Sequence, residues 1–203
     1  MIKKYKNFIF DFDGTLVNSN RYHSISFQRA LLYKKKKIKF NYEDLKGLKT
    51  EDAFKKIGIK KNISEFSKLK RDFYNDQIHK IKLYKNVKKI LNILKKKRKK
   101  IFIVSGASKN NIMYLLKKEN INVNGIISRE DCKFSKPNIM PYQNCIKQFK
   151  LKLIETIAVE DAISGIISAK KNGLKCIGIN NSKIKGRSDF YFKNFSILTK
   201  KFI

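Results

Sequence analysis

The sequence predicts an α/β protein, a doubly wound parallel sheet carrying an inserted all-helical segment. Two observations point to the sheet. Short apolar runs at residues 8–10, 101–104, 157–159 and 176–179 show no polar alternation, as expected of strands buried on both faces. From residue 87 onward such runs alternate with stretches of helical spacing, the pattern of parallel strands joined by crossover helices. The third observation concerns residues 18–81, where helical spacing continues with no strand pattern. The expected division is therefore a core from residues 1–17 and 82–203, with a helical insertion over 18–81.

The first strand, residues 8–10, ends in Asp11, Phe12, Asp13, Gly14 and Thr15. Acids gain nothing at the end of a buried strand unless they have a partner, and ligands of open α/β sheets bind beyond the carboxyl ends of the strands. A helix follows at 19–33, with Ile25, Leu31 and Leu32 expected inside. A second lies within 41–57, and a third or fourth at 64–79 carries Phe66, Leu69 and Phe73 at helical spacing. Val87, Ile90, Leu91 and Leu94 form one face of an amphipathic helix, which the lysine-rich stretch 95–100 ends. Strand 101–104 runs into Ser105-Gly106. After it come a helix at 110–120, a short strand at 125–127 and a helix at 142–149. A strand at 155–159 is followed by Glu160-Asp161. The next helix, 164–172, ends at Gly173 with Lys170 and Lys171 in its last turn, which suits the helix dipole. A strand at 176–179 precedes a tail, 189–203, read as a short strand and a last helical turn.

Composition narrows the function. The 203 residues, 42% hydrophobic, suffice for one well-buried core with a smaller insert. No apolar run is long enough to cross a membrane, and the basic start, residues 1–7, leads directly into a strand and so is not a signal peptide. Cys132, Cys145 and Cys176 lack metal-site spacing, and their odd number argues against a disulfide framework. A cytoplasmic location is expected. The net charge of +32 invites a nucleic-acid reading. Its lysines, however, are spread along the chain amid abundant Asn and Ile, as in products of AT-rich genomes, and no nucleic-acid-binding signature accompanies them. The expectation is a solvated surface with no specific nucleic-acid or membrane partner. That surface would steer anions inward, and the protein would be a monomer or weak homodimer.

The residues after the strands form a coherent set. Asp11, Asp13 and Asp161, with Glu160 beside them, are hard oxygen donors suited to Mg²⁺. Thr15, the Ser105-Gly106 turn and Lys136 are donors suited to a phosphate. Each has an ordinary reading: Lys136 as one surface lysine among many, Ser105 as a turn residue, Glu160-Asp161 as a helix cap. Together, and in order at strand ends, they point to phosphoryl transfer, in which positioning and charge neutralisation supply most of the rate. Asp11 would attack as nucleophile, forming an aspartyl-phosphate. Asp13 would protonate the leaving oxygen and then activate water.

These residues resemble the motifs of the haloacid dehalogenase (HAD) superfamily. Asp11-Phe12-Asp13-Gly14-Thr15 is similar to its first motif, Ser105 to its second, Lys136-Pro137 to its third and Glu160-Asp161 to its acidic fourth. The resemblance implies a Rossmann-like core with a helical cap. It assigns Asp11 as nucleophile and Mg²⁺ ligand, the Asp13 carbonyl and Asp161 as further ligands, and Thr15, Ser105 and Lys136 as phosphate-binding groups. An acid two residues beyond the nucleophile favours phosphate chemistry over dehalogenation. The nearest subgroup is similar to both phosphoglycolate phosphatases and β-phosphoglucomutases. His23 stands where the mutases carry a gating histidine, and Lys46 and Thr50 lie in the matching cap stretch. Thr50 occupies the place of a mutase arginine that grips the distal phosphate.

The reading is a Mg²⁺-dependent phosphatase of small phosphorylated metabolites. A β-phosphoglucomutase-like sugar phosphomutase and, from another class, a basic nucleic-acid-binding protein that kept the fold stand as alternatives.

Overall fold

A computed structural model describes residues 2–203; Met1 lies outside the described residues. The core is a six-stranded parallel sheet in the order β3-β2-β1-β4-β5-β6. Its strands are β1 (Asn7–Phe10), β2 (Lys100–Val104), β3 (Gly125–Ile127), β4 (Thr156–Glu160), β5 (Lys175–Ile179) and β6 (Phe190–Phe192). Successive side chains of a strand point to opposite faces, and the central strands are apolar on both. Phe8, Phe10, Ile101, Ile103, Ile157, Val159, Ile177 and Ile179 belong to one buried cluster. Ile9, Phe102, Val104, Ala158 and Cys176 belong to the other.

Helices seal both faces, which is why the strands read as continuous apolar runs. Within the first cluster α4 (Val87–Lys96), α5 (Lys109–Lys118) and α8 (Phe195–Lys200) lie on the Phe8/Phe10 face. On the Ile9 face lie α6 (Met140–Gln148) and α7 (Ile163–Lys171). The three cysteines are buried and free. Among the described residues no helix is long and apolar enough to cross a membrane. The strand order reverses beside β1, opening a crevice at the carboxyl ends of β1 and β4.

The chain leaves this core after β1 and forms α1 (Asn20–Tyr33), α2 (Thr50–Lys56) and α3 (Ile63–Asn75). Phe27, Ala30, Leu31, Phe54 and Phe66 from these helices build a separate apolar cluster, with Phe54 fully buried. The outgoing and returning connections run side by side. Asn18 N donates to Lys82 O at 2.9 Å and Tyr84 N to Leu16 O at 3.0 Å.

Two local readings, in α1 and at Glu160, need correction, and two others gain detail. Leu32 points to solvent and Ile25 is half-buried, because α1 turns Phe27, Ala30 and Leu31 inward. The stretch 41–57 contains the expected helix, α2, preceded by a 3₁₀ turn, Tyr42–Leu45. Between them Gly47 adopts φ +77°, a left-handed conformation that breaks the helical path. Glu160 ends β4 and does not follow it, so its side chain is part of the core. On α3 the buried stripe is Phe66, Lys70 and Tyr74, while Leu69 and Phe73 are half-buried. Two polar residues at i+4 and i+8 from an aromatic anchor thus face inward.

Replacing Phe54 by Ala should lower the unfolding free energy by about 3–5 kcal/mol through the cavity it leaves. Chemical denaturation followed by circular dichroism checks this.

Candidate active site

The crevice is built around one buried ammonium. Lys136 Nζ donates to Asp11 Oδ1 at 2.7 Å, to Glu160 Oε1 at 2.7 Å and to the Val104 carbonyl at 2.8 Å. All three hydrogens of the ammonium are thereby used. Asp11 sits just past β1, and its backbone N–H still donates to Val159 O at 2.9 Å, which fixes its height above the sheet. Tyr142 OH, from α6, donates to Glu160 Oε1 at 2.6 Å. Gly165 leaves room for the rest of the Glu160 carboxylate, since a Cβ there would overlap it. Burial lowers the Lys136 pKa, but Asp11 and Glu160 outweigh that cost and push the ammonium up.

Asp161, next after Glu160, is fixed from several sides. Thr15 Oγ1 donates to its Oδ1 at 3.2 Å, and Lys46 Nζ to its Oδ2 at 3.3 Å. The Asn181 amide donates to its carbonyl at 2.8 Å. Gly14, at φ +81°, lets the loop after β1 pass close by, for a Cβ there would strike the Asp161 carboxylate. Thr15 itself is fully buried behind this carboxylate and outside the cavity lining. Ser105 and Gly106 line the cavity, and Ser105 Oγ accepts from the Ala107 N–H at 3.0 Å.

The residues fit a hard divalent cation. Asp11, Glu160 and Asp161 each offer an oxygen, all within 4.8 Å of one another. Glu160 Oε2 is buried with no partner among the described residues. Burial and mutual repulsion disfavour three anions here. Desolvation, with Asp11 adding to it, pushes Asp161 up to about 6, and desolvation takes Glu160 to about 8 despite Lys136. A bound cation would offset both effects.

Asp13 belongs to a second network, supplied by the insertion. Its Oδ1 accepts from His23 Nε2 at 3.1 Å and Tyr74 OH at 3.2 Å. Lys70 Nζ lies 2.9 Å from His23 Nδ1. Since the ammonium can only donate, Nδ1 accepts and the ring proton sits on Nε2, facing Asp13. The imidazole stacks on Tyr74, ring centroids 4.1 Å apart. Burial opposes the charge of Asp13, yet His23 and Lys70 hold it down to about 2. Burial and the neighbouring Lys70 push His23 below its usual value, against the pull of Asp13. Burial also lowers Lys70, to about 8.

The structure brings Asp11, Asp13, Ser105, Gly106, Lys136, Glu160 and Asp161 to one cavity of about 340 Å³, together with His23, Lys46 and Thr50 from the insertion. Sequence reasoning did not single out Lys70, Tyr74, Tyr142, Arg71 or Arg129, all within or beside this site. A lysine and a tyrosine on the buried stripe of α3 are the signal that could have found the first two.

A six-stranded parallel sheet with an acid-rich switch point and helices inserted after β1 defines a class, and comparison supports the same one. The profile of the haloacid dehalogenase-like hydrolase family matches residues 8–179. The chain belongs to that family and is an HAD-like phosphoric monoester hydrolase. The pyrophosphatase PpaX of Bacillus mycoides is 26% identical over 192 residues, covering 91% of this chain and 87% of that protein. A hydrolase from Pseudomonas syringae shares the fold with a TM-score of 0.87 at 19% identity, covering 97% of each chain. CbbY from Rhodobacter sphaeroides, solved in complex with phosphate, gives a TM-score of 0.81 at 18% identity, covering 96% of each.

A cation site made of raised carboxylates binds better as they lose their protons. Mg²⁺ should therefore raise the melting temperature more at about pH 8 than at about pH 5.5, where Asp161 and Glu160 hold protons. Asp161→Asn should abolish the shift, as read by differential scanning fluorimetry.

Proposed function

We propose that the chain is a Mg²⁺-dependent phosphatase of small phosphorylated metabolites, working through an aspartyl-phosphate on Asp11. The observation that carries this is the placement of Lys136 Nζ 2.7 Å from Asp11 Oδ1, with the buried acids Glu160 and Asp161 behind it. Asp11, the Asp13 carbonyl and Asp161 would hold Mg²⁺, with Glu160 close by. The cation would supply charge neutralisation between the carboxylate and the phosphoryl oxygens. The phosphate named with the CbbY neighbour and the pyrophosphatase name of the PpaX relative agree with this substrate class.

Asp11 Oδ attacks phosphorus, and the phosphorus–oxygen ester bond breaks. Lys136, with Ser105 and the Gly106 turn, faces the phosphoryl oxygens. Asp13 is ionised at rest, so it must gain a proton before it can give one to the leaving oxygen. His23 passes its Nε2 proton to Asp13 and takes another at Nδ1 from Lys70. Asp13, once ionised again, accepts a proton from water as that water attacks the aspartyl-phosphate, releasing phosphate and free Asp11. Thr15 acts through Asp161 by fixing its carboxylate. Residues 18–81 act as a cap: Asp13 finds His23 and Tyr74 only when these helices sit over the crevice, which also keeps water out. The cavity, about 340 Å³, suits a compact metabolite.

The test is phosphate release from a panel of phosphate esters and pyrophosphate, with Mg²⁺ and with chelator. Release should require Mg²⁺ and fall at least about a thousand-fold in Asp11→Asn. Release that persists in that variant, or under chelator, would refute the mechanism. A relay fed by a lysine of pKa about 8 requires that lysine protonated. The wild-type kcat/KM should therefore decline as pH rises through about 8. Lys70→Gln should lower kcat about 10- to 100-fold and remove that limb.

A further inference from the structure

The cavity also holds two arginines that the chemistry at Asp11 does not use. Arg71 follows Lys70 on α3, and Arg129 opens the 3₁₀ turn after β3, so one arginine comes from the cap and one from the core. Both line the same cavity as Asp11 and Lys136. Each is oriented by a carboxylate but not enclosed by it. Arg71 Nη1 donates to Glu51 Oε1 at 2.8 Å, and Arg129 Nη2 to Glu130 Oε1 at 3.0 Å. The backbone pins the second pair, since Arg129 N donates to Ala107 O and Lys109 N to Glu130 Oε2, both at 3.0 Å. The arginine side chains remain 34% and 29% exposed. A guanidinium carries five donors, so each keeps an unused edge. Arg129 also acts electrostatically on both Glu51 and Lys70, which places the groups around one space.

Residue choice points the same way. Only six of the 48 basic residues of the chain are arginine, and two of the six line this cavity. Arginine differs from lysine in gripping an oxyanion with two parallel hydrogen bonds.

We propose that Arg71 and Arg129 form a second oxyanion subsite that selects phosphorylated substrates bearing another anionic group, phosphate or carboxylate, at the end remote from the scissile bond. The proposal rests on the phosphatase reading of the Asp11 end and names its substrate class. Because the arginines come from both sides of the crevice, the second anion also ties the cap to the core.

A matched three-carbon series tests this: 3-phosphoglycerate, propane-1,3-diol bisphosphate and glycerol 3-phosphate, whose far end is neutral. Wild type should favour the first two over the third by at least about ten-fold in kcat/KM. The difference should lie in KM, because a remote contact is made equally in ground and transition states. Preference for the carboxylate or for the bisphosphate tells which oxyanion the subsite takes. Arg71→Gln and Arg129→Gln should bring the ratio near one, while Arg98→Gln, on an exposed loop at the opposite edge of the sheet, should leave it unchanged. Glu51→Gln, which frees Arg71 Nη1, should raise the ratio; a fall would show that Arg71 is a strut for α3 and overturn its role. Survival of the ratio in both arginine variants would overturn the proposal. Calorimetric binding of 3-phosphoglycerate, in an Asp11→Asn background, decides the matter apart from turnover. If nothing is hydrolysed the phosphatase reading fails. The subsite still stands if the arginine variants weaken this binding at least about ten-fold, and falls if they do not.

Discussion

One lysine ammonium, buried between two carboxylates, sets the terms for this structure. Taking a charge out of water is costly, and only matching charges with good geometry offset it. Lys136 meets that condition through Asp11, Glu160 and the Val104 carbonyl, groups from the ends of β1, β4 and β2. The three strands must therefore finish at the same level, which the parallel register secures. Tyr142 on one side and Gly165 on the other fix Glu160, so helices α6 and α7 also answer to this charge. The fold and the site are thus one electrostatic problem solved once.

Asp13 stands one residue from this arrangement, yet its partners come from elsewhere. His23, Tyr74 and Lys70 belong to helices with their own apolar cluster. The stripe on α3 changes character along its length, from Phe66 in that cluster to Lys70 and Tyr74 over the crevice. A single helix face therefore serves as core at one end and as reactive surface at the other.

The sheet and the strand-end residues were legible because burial on both faces leaves an unbroken apolar run, and an acid directly after such a run has no structural reason to be there. Asp11, Asp13 and Asp161 stand out this way, and Lys136 only through its company with them; its reach to Glu160 is not legible in the sequence. Glu160 was read as lying beyond its strand, and only the register shows it inside the sheet. The insertion was harder. Lys70 is one lysine among many, and nothing in composition separates it from solvated neighbours. Leu32 looked buried because two leucines in a row fit an apolar face equally well until the partner helices choose between them. Thr15 illustrates a further limit: its hydroxyl was read as a donor to a ligand, whereas the structure turns it to Asp161.

The packing of the inserted helices on a cluster of their own has an evolutionary consequence. Most buried positions of α1–α3 pack in a cluster of their own, while Tyr74 of α3 belongs to the cluster of the sheet. The charges around Lys136 can stay as they are while the walls above them drift. Such a chain can be retuned to new substrates by substitutions inside the helices' own cluster, so long as His23, Lys70 and Tyr74 keep their places over Asp13.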